Sequence, residues 1–441
     1  MDSDFLVLVG VPLAGGVLAL VTLLVGLRAG KRRRLVDNLP TSKTTGVFIG
    51  LVELKGSAEV EQPLVSYLAG TRCVYYHWQV EESWSRTVTE SYTDSQGKSQ
   101  TRTRHESGWT TVASGGEEMA FYLQDDCGVI RIQPKGAKLE AQTVMSQTCG
   151  RGDPLYYGKG PATALANSDH RRRFSEQAIG LHAPLYVVGH ARERDDAVAA
   201  EIAADKQVPL FLISTRSEQQ VSRGFRLGFW LFGMLGLVLA IGGLVARDMA
   251  IDHPLAEDVA MLIGTGVGFL LAWLLGWVWM VYNSLVELRQ RVRQGWANVD
   301  VQLKRRHDLI PTLVTTLSGL RDYERTLQAE LAALRTQMQA TAPGKAGPDP
   351  AACLPLVRAV AERYPELKAS ESFLNLQRQL ADTEQRIALA RAYFNDIATF
   401  YNTRLQVIPD RFVGTLGRLQ LQALMAAAEF ERAPVQVALA A

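Results

Sequence analysis

From Tyr282 to Met338 an apolar residue returns every three or four positions, a pattern that leaves room for little except one very long amphipathic helix. Leu285, Leu288, Val292, Trp296, Val299, Leu303, Ile310, Leu313, Leu317, Leu320, Leu327, Leu331 and Leu334 form the seam, and only Arg306 and Glu324 interrupt it. At about 1.5 Å per residue, Asn283 to Ala340 would measure roughly 87 Å, so the element must be a stalk or the spine of a bundle. Pro311 removes one amide from the ladder and predicts a bend one turn earlier, near His307. The apolar run Val259 to Tyr282 flows into this helix without punctuation, which makes membrane span and stalk one piece.

A second heptad run, Phe373, Leu376, Leu380, Thr383, Ile387, Ala390, Phe394, Ile397, Tyr401 and Ile408, supplies a packing partner. The Pro- and Gly-rich stretch Thr341 to Ala352 between the two reads as the turn of a helical hairpin. Shorter helices at Leu354 to Tyr364 and Arg411 to Glu431 would complete an antiparallel bundle. The strings DVQLKRRHDLIPTLV (Asp300 to Val314), LQRQLADTEQRIALARAYFN (Leu376 to Asn395), FYN (Phe400 to Asn402) and FERAPVQV (Phe430 to Val437) resemble the LemA family. The resemblance implies a membrane-anchored helical bundle without an assigned catalytic activity.

Hydrophobic residues make up 47% of the 441, and three runs account for the excess. Phe5 to Leu27, Leu227 to Ala246 and Val259 to Tyr282 are each long enough to cross an apolar layer of about 30 Å. Arg28, Lys31, Arg32, Arg33 and Arg34 follow the first span; Arg216, Arg223 and Arg226 precede the second; Arg289, Arg291 and Arg293 follow the third. Asp2, Asp4 and an acidic loop with Asp248, Asp252, Glu257 and Asp258 occupy the opposite side. The positive-inside rule then predicts an amino terminus outside, with both large polar regions in the cytoplasm of a bacterial inner membrane. A formal net charge of +2 argues against nucleic acid, and the run Lys31 to Arg34 is explained by topology and anionic lipid. Cys73, Cys127, Cys149 and Cys353 are scattered, so neither a zinc cluster nor a disulfide framework is expected.

Between the first two spans the period falls to two. VFIGLVEL, CVYYHWQVEE, RTVTESYT, TRTRHESGWTTV, GVIRIQP, LYVVGHA and LFLIST predict an antiparallel β-rich domain, with DSQGKSQ (Asp94 to Gln100) at the tip of a long hairpin. The stretches Gly50 to Glu82, Gly108 and Trp109, Asp125 to Leu139 and Pro184 to Ala191 are similar to the GIDE domain of mitochondrial membrane-anchored RING ubiquitin ligases. The resemblance carries no ligase activity with it, because the RING's eight Cys and His zinc ligands have no counterpart here. The expected fold is thus a membrane protein of α+β class: an anchor at 1–30, a GIDE-like domain at 46–215, a transmembrane hairpin at 225–282 and a LemA-like helical bundle at 283–441.

No elbow, phosphate loop or metal motif marks a reaction, so no catalytic residue, cofactor or metal is expected. The densest polar group is Asp300, Gln302, Lys304, Arg305, Arg306 and Asp308, either a solvated helix face or a seam charge in which Arg306 meets Asp382, Glu384 or a second subunit. Gly264 and Gly268 in span three, with Gly233 and Gly236 in span two, form small-xxx-small pairs for packing within one chain or between subunits. His170 to Arg173 reads as a basic loop facing solvent or lipid head groups. The expectation is a non-catalytic scaffold or adaptor with membrane lipids, an unidentified protein and a second copy of itself as partners. Its rivals are an accessory subunit of a membrane protease or modification system, and a lipid or small-molecule sensor.

Overall fold

The computed structural model describes residues 6–93, 99–194, 199–205, 210–251, 253–254, 256–318 and 371–425. The chain divides into two compact units, Thr41–Glu218 and the combination of Met1–Pro40 with Gln219–Ala441. The heptad positions beyond Ser318, the turn at 341–352, the helix at 354–364, the hairpin tip at 94–98, Cys353 and the string at 430–437 lie outside the described residues.

In the helical unit, α1 (Val11–Asp37), α2 (Glu218–Ala250) and α3 (Val259–Ser318) are long and apolar enough to cross a membrane. Each outruns its apolar stretch: α1 continues ten residues past Leu27 through the basic run, and α3 continues through Pro311. The spans approach closely where glycines remove side-chain bulk. A Cβ on Gly15 would come 2.9 Å from the Gly243 backbone, and one on Gly233 would come 2.4 Å from the Trp273 ring. Beyond the spans, α3 packs against α4 (Glu371–Gln406), and α5 (Asp410–Leu416) folds back onto both. Trp296 meets Phe394 while Arg306, further along α3, meets the earlier Glu384, so the two long helices run antiparallel.

The carboxyl segment departs from its expected helix. Of the predicted span 411–431, the structure describes 411–425, where the helix Asp410–Leu416 ends and Gly417 to Met425 is irregular. Ile408 does not continue the heptad seam, because it stands in the connection from α4 to α5 and is exposed. The string Leu419 to Met425 has high intrinsic helix propensity, and tertiary contacts override it. Asn402 donates Nδ2 to the Gln422 carbonyl at 2.8 Å and accepts from the Gln422 amide at 2.8 Å. Asn395 forms the same pair with Met425, at 3.2 and 2.9 Å. Seven helical residues rise about 10.5 Å and three extended ones about 10.2 Å, so the two amides of α4 match the spacing of an extended strap.

The second unit contains β1 (Thr41–Ser42), β2 (Gly50–Glu59), β3 (Leu64–Val65), β4 (Arg72–Thr93), β5 (Ser99–Glu118), β6 (Phe121–Gln124), β7 (Val129–Ile132), β8 (Lys138–Glu140), β9 (Gln142–Gly150), β10 (Ser168–Gly180), β11 (Pro184–Glu193), β12 (Ala200–Ala203) and β13 (Leu212–Ser214). Strands β2, β6, β7, β12 and β11 pair in a ring that closes when β11 returns to β2. Closure gives each of these five strands a neighbour on both sides, while β1 and β8 stay at the ends of the sheet. Inside lie Leu54, Phe121, Leu123, Ile132, Val187 and Ile202, all essentially inaccessible. The pairings are mostly antiparallel as predicted, but β1–β2, β7–β12 and β8–β13 are parallel. CVYYHWQVEE and RTVTESYT belong to one 22-residue strand, β4, which runs beside β5 until Thr93 faces Ser99.

Candidate functional site

The helical unit gathers its polar residues in a collar where α1, α2, α3, α4 and α5 converge. The basic turn that ends α1 places Arg34 beside α5, and its guanidinium forks onto Asp410 with Nη1 to Oδ2 at 2.8 Å and Nη2 to Oδ1 at 2.6 Å. Two parallel charge-assisted bonds fix orientation as well as distance. Arg404 of α4 donates Nε to Asn38 Oδ1 at 2.9 Å and stands 3.9 Å from Asp37 and 4.0 Å from Asp410. Burial draws the Arg404 pKa down, and Asp410 and Asp37 oppose that pull. Ser222 of α2 donates to Asp37 at 2.5 Å, and Asn38 donates to Ser284 of α3 at 3.3 Å. Within the run Lys31 to Arg34, which topology and anionic lipid explain as a whole, Arg34 is committed to a carboxylate 376 positions away in sequence, while Lys31 and Arg32 are exposed.

Above the collar the seam is apolar. Leu288, Val292, Val299 and Leu303 of α3 and Ile387, Phe394 and Ile397 of α4 are buried, and Leu285 packs with Leu405 and Val413. Of the six predicted polar residues, Asp300, Lys304, Arg305 and Asp308 are exposed, Gln302 is half-buried and Arg306 is buried. Arg306 Nη1 lies 3.8 Å from Glu384 Oε1, whereas Asp382 pairs along its own helix with Arg386 at 3.0 Å. The group is therefore split: one member enters the seam and the others line its outer side.

In the β unit, Arg172 and Glu82 are both without solvent access and pair at 3.1 Å. Glu82 also accepts from the Tyr156 hydroxyl at 2.8 Å and from Ser168 at 2.5 Å. The Arg172 guanidinium donates to the carbonyls of Tyr156, Pro161 and Thr163 and stacks 3.9 Å over the Tyr156 ring. Burial pushes the Glu82 carboxyl up, and the hydrogen bonds from Ser168, Tyr156 and Arg172 more than reverse it, leaving the group below the usual carboxylate range. The basic string 170–173 is thus not a loop. It opens β10, in which Arg172, Phe174, Glu176 and Ala178 point inward in strict alternation. Glu176 accepts from the amides of Leu68 and Ala69, at 2.9 and 2.7 Å.

The LemA family model matches residues 295–439. A second model, GIDE, described as E3 Ubiquitin ligase, matches residues 89–246. No curated protein and no solved structure matches the chain. The LemA match takes in the seam charge Arg306, both strap asparagines and Asp410, and leaves Arg34 outside. The GIDE match starts within β4 and ends within α2, so it includes Arg172 while its partner Glu82 stands before it. Both matched regions therefore depend on residues beyond their own limits.

Two groups of metal-type donors occur among the described residues of the chain, Asp125, Asp126 and Cys127 in the GIDE region, and Asp248, His253 and Asp258 between the second and third spans. In the first, both carboxylates are already engaged. Asp125 accepts from the Thr44 amide and hydroxyl and from the amides of Cys127 and Gly128, while Asp126 pairs with Lys43. In the second, the Arg247 guanidinium bridges Asp248 and Asp258, while Asp248 Oδ2 and His253 Nδ1 are buried without a hydrogen-bond partner among the described residues. Cys73 and Cys149 are buried, and burial beside Glu176 pushes the Cys73 thiol up to about 11, the reverse of a metal-ready thiolate. In the spans, Gly233 and Gly236 face Trp273 and Phe269 of α3, but a Cβ added at Gly264 or Gly268 would meet nothing within 4 Å among the described residues. The reading that all four pack spans two and three together is corrected for that second pair.

Proposed function

We propose that the protein is a membrane-anchored, non-catalytic scaffold of the LemA and GIDE type. One observation supports the reading above the rest. The most densely connected polar cluster among the described residues of the helical unit, around Asp37, Arg34, Arg404 and Asp410, joins α1, α2, α4 and α5 to one another, and even the Ser222 hydroxyl in it braces α2 against Asp37. Its side chains hold a shape. The basic flanks of the three spans support an amino terminus outside and both large regions in the cytoplasm of a bacterial inner membrane. The open face of Gly264 and Gly268 supports a second copy as one partner.

Cross-linking in native membranes followed by mass spectrometry tests this function. A stable set of protein neighbours that survives mutation of exposed polar residues one at a time is the scaffold outcome, and recovery of the protein without neighbours defeats it. A second reading, an accessory subunit of a modification system, is favoured by the GIDE match. Under it the principal neighbour is one catalytic protein in fixed ratio. Either way the purified chain is expected to hold no stoichiometric zinc and to leave a loaded ubiquitin-type carrier undischarged.

A further inference from the structure

We propose that α5 and its flanking turns form a monotopic membrane contact, an apolar wedge resting in the head-group layer of the leaflet at which span three passes into the bundle. Four features set its depth. Val413, Leu405 and Leu419 pack against Trp277, Val278, Val281 and Leu285, so the inner face of α5 is docked beside the last turns of the apolar stretch. Gly417 presses on the Tyr282 ring, where a Cβ would come within 2.7 Å. Trp277, Trp279 and Tyr282 cluster where span three ends, and such rings sit at the boundary between hydrocarbon and head groups. Finally, Asp410 at the start of α5 is clasped by Arg34, inside the basic run that follows span one, where Arg28, Lys31 and Arg32 are exposed. The element is held at the level of the phosphates by both neighbouring spans.

The outer face has the composition such a position requires. Ile408, Phe412 and Leu416 recur at every fourth position and are 66%, 66% and 82% exposed. Arg411, Thr415 and Arg418 border this stripe, and Arg411 and Arg418 are exposed as well. Large apolar side chains left in water cost free energy, whereas an interfacial helix buries them among acyl chains and keeps flanking guanidinium groups on phosphate. Charge favours the same occupant: the rim is cationic, and the leaflet offers anionic lipid. Because the docked face is apolar and the collar already fixes α5, the wedge is preformed and does not need to fold on contact.

The test uses the full-length chain in nanodiscs of phosphatidylcholine and phosphatidylglycerol. With the photoreactive p-benzoylphenylalanine replacing Phe412, irradiation is expected to give phospholipid adducts detectable by intact mass, while the same residue replacing Val301, which is 61% exposed on α3, gives none. A chain without lipid adducts at 412 overturns the proposal. So does a cross-linked dimer or an adduct to another protein, since the face would then belong to a macromolecule. Hydrogen exchange supplies a reading that needs no unnatural residue. Leu416→Ser is expected to speed exchange across 408–418 in nanodiscs and to leave it unchanged in detergent below its micelle concentration on a polymer support. Equal exchange of wild type and L416S in nanodiscs also overturns it.

Discussion

The two units bury charge in different ways. In the β unit, Arg172 and Glu82 are inaccessible side chains on paired strands, tied to the Tyr156 hydroxyl and to the carbonyls of Tyr156 and Pro161. In the helical unit, Arg34 and Asp410 retain 13% and 5% exposure and join helices whose own hydrogen bonds are complete without them. A buried pair inside a sheet is a condition of folding, whereas the pair between helices is a condition of docking. Loss of the first is expected to unfold its unit, and loss of the second to release one element.

That contrast can be broken by measurement, beginning with its largest expected effect. Arg172→Ala strands the Glu82 charge and is expected to cost about 3–5 kcal/mol, read as the urea midpoint of the β unit by far-ultraviolet dichroism. A cost below about 1 kcal/mol would place this pair with ordinary surface bridges. Asp410→Ala is expected to cost about 2–3 kcal/mol, with faster amide exchange confined to 405–418; a global loss of the helical transition would erase the distinction between folding and docking. Asn402→Ala is expected to cost about 1 kcal/mol and to expose 419–425 to protease while leaving α4 protected. Gly264→Leu is expected to leave thermal stability within about 0.5 kcal/mol, and any loss it causes should appear in the mass of the detergent-solubilised particle.

Acid sharpens the comparison inside the β unit, where two buried carboxylates shift in opposite directions. Glu82 lies below the usual range, so its contribution is present above the unfolded value near 4.3 and disappears as pH falls through the lower folded value. Glu53 is raised by burial against the bonds from Thr41 and Tyr186, so its contribution is present below the unfolded value and is lost as pH rises through the folded one. Stability curves of Glu82→Gln and Glu53→Gln between pH 3 and 7 should therefore tilt in opposite directions. Parallel curves would show that the two sites are not distinguished by protonation.

Much of the helical unit was legible because its signals are local and periodic: three apolar runs, basic flanks, and a heptad that put Leu285 to Leu303 on one face. The β unit yielded its strand content and long hairpin for the same reason. What escaped has a shared cause. In β10 the residues from Arg172 to Ala178 alternate, yet Arg172 and Glu176 fill inward places where hydropathy alone looks for apolar residues, so the basic string reads as a loop. Leu419 to Met425 favours a helix locally, and the distant amides of Asn395 and Asn402 hold it otherwise. Arg34 announced membrane topology, while its partner stood at the other end of the sequence.

The unbroken course of α3 from Val259 to Ser318 has a mechanical meaning. Some 36 residues continue past Tyr282, a lever arm of about 54 Å, so a tilt of about 10° within the bilayer sweeps its far end through roughly 9 Å. Helices tilt to match the thickness of the hydrocarbon around them, which makes lipid composition an input and the position of Arg306 and its neighbours an output. Distances between probes at Val301 and at the base of α1, measured in thin and thick bilayers, would register that motion, and unchanged distances would show that the collar locks the lever.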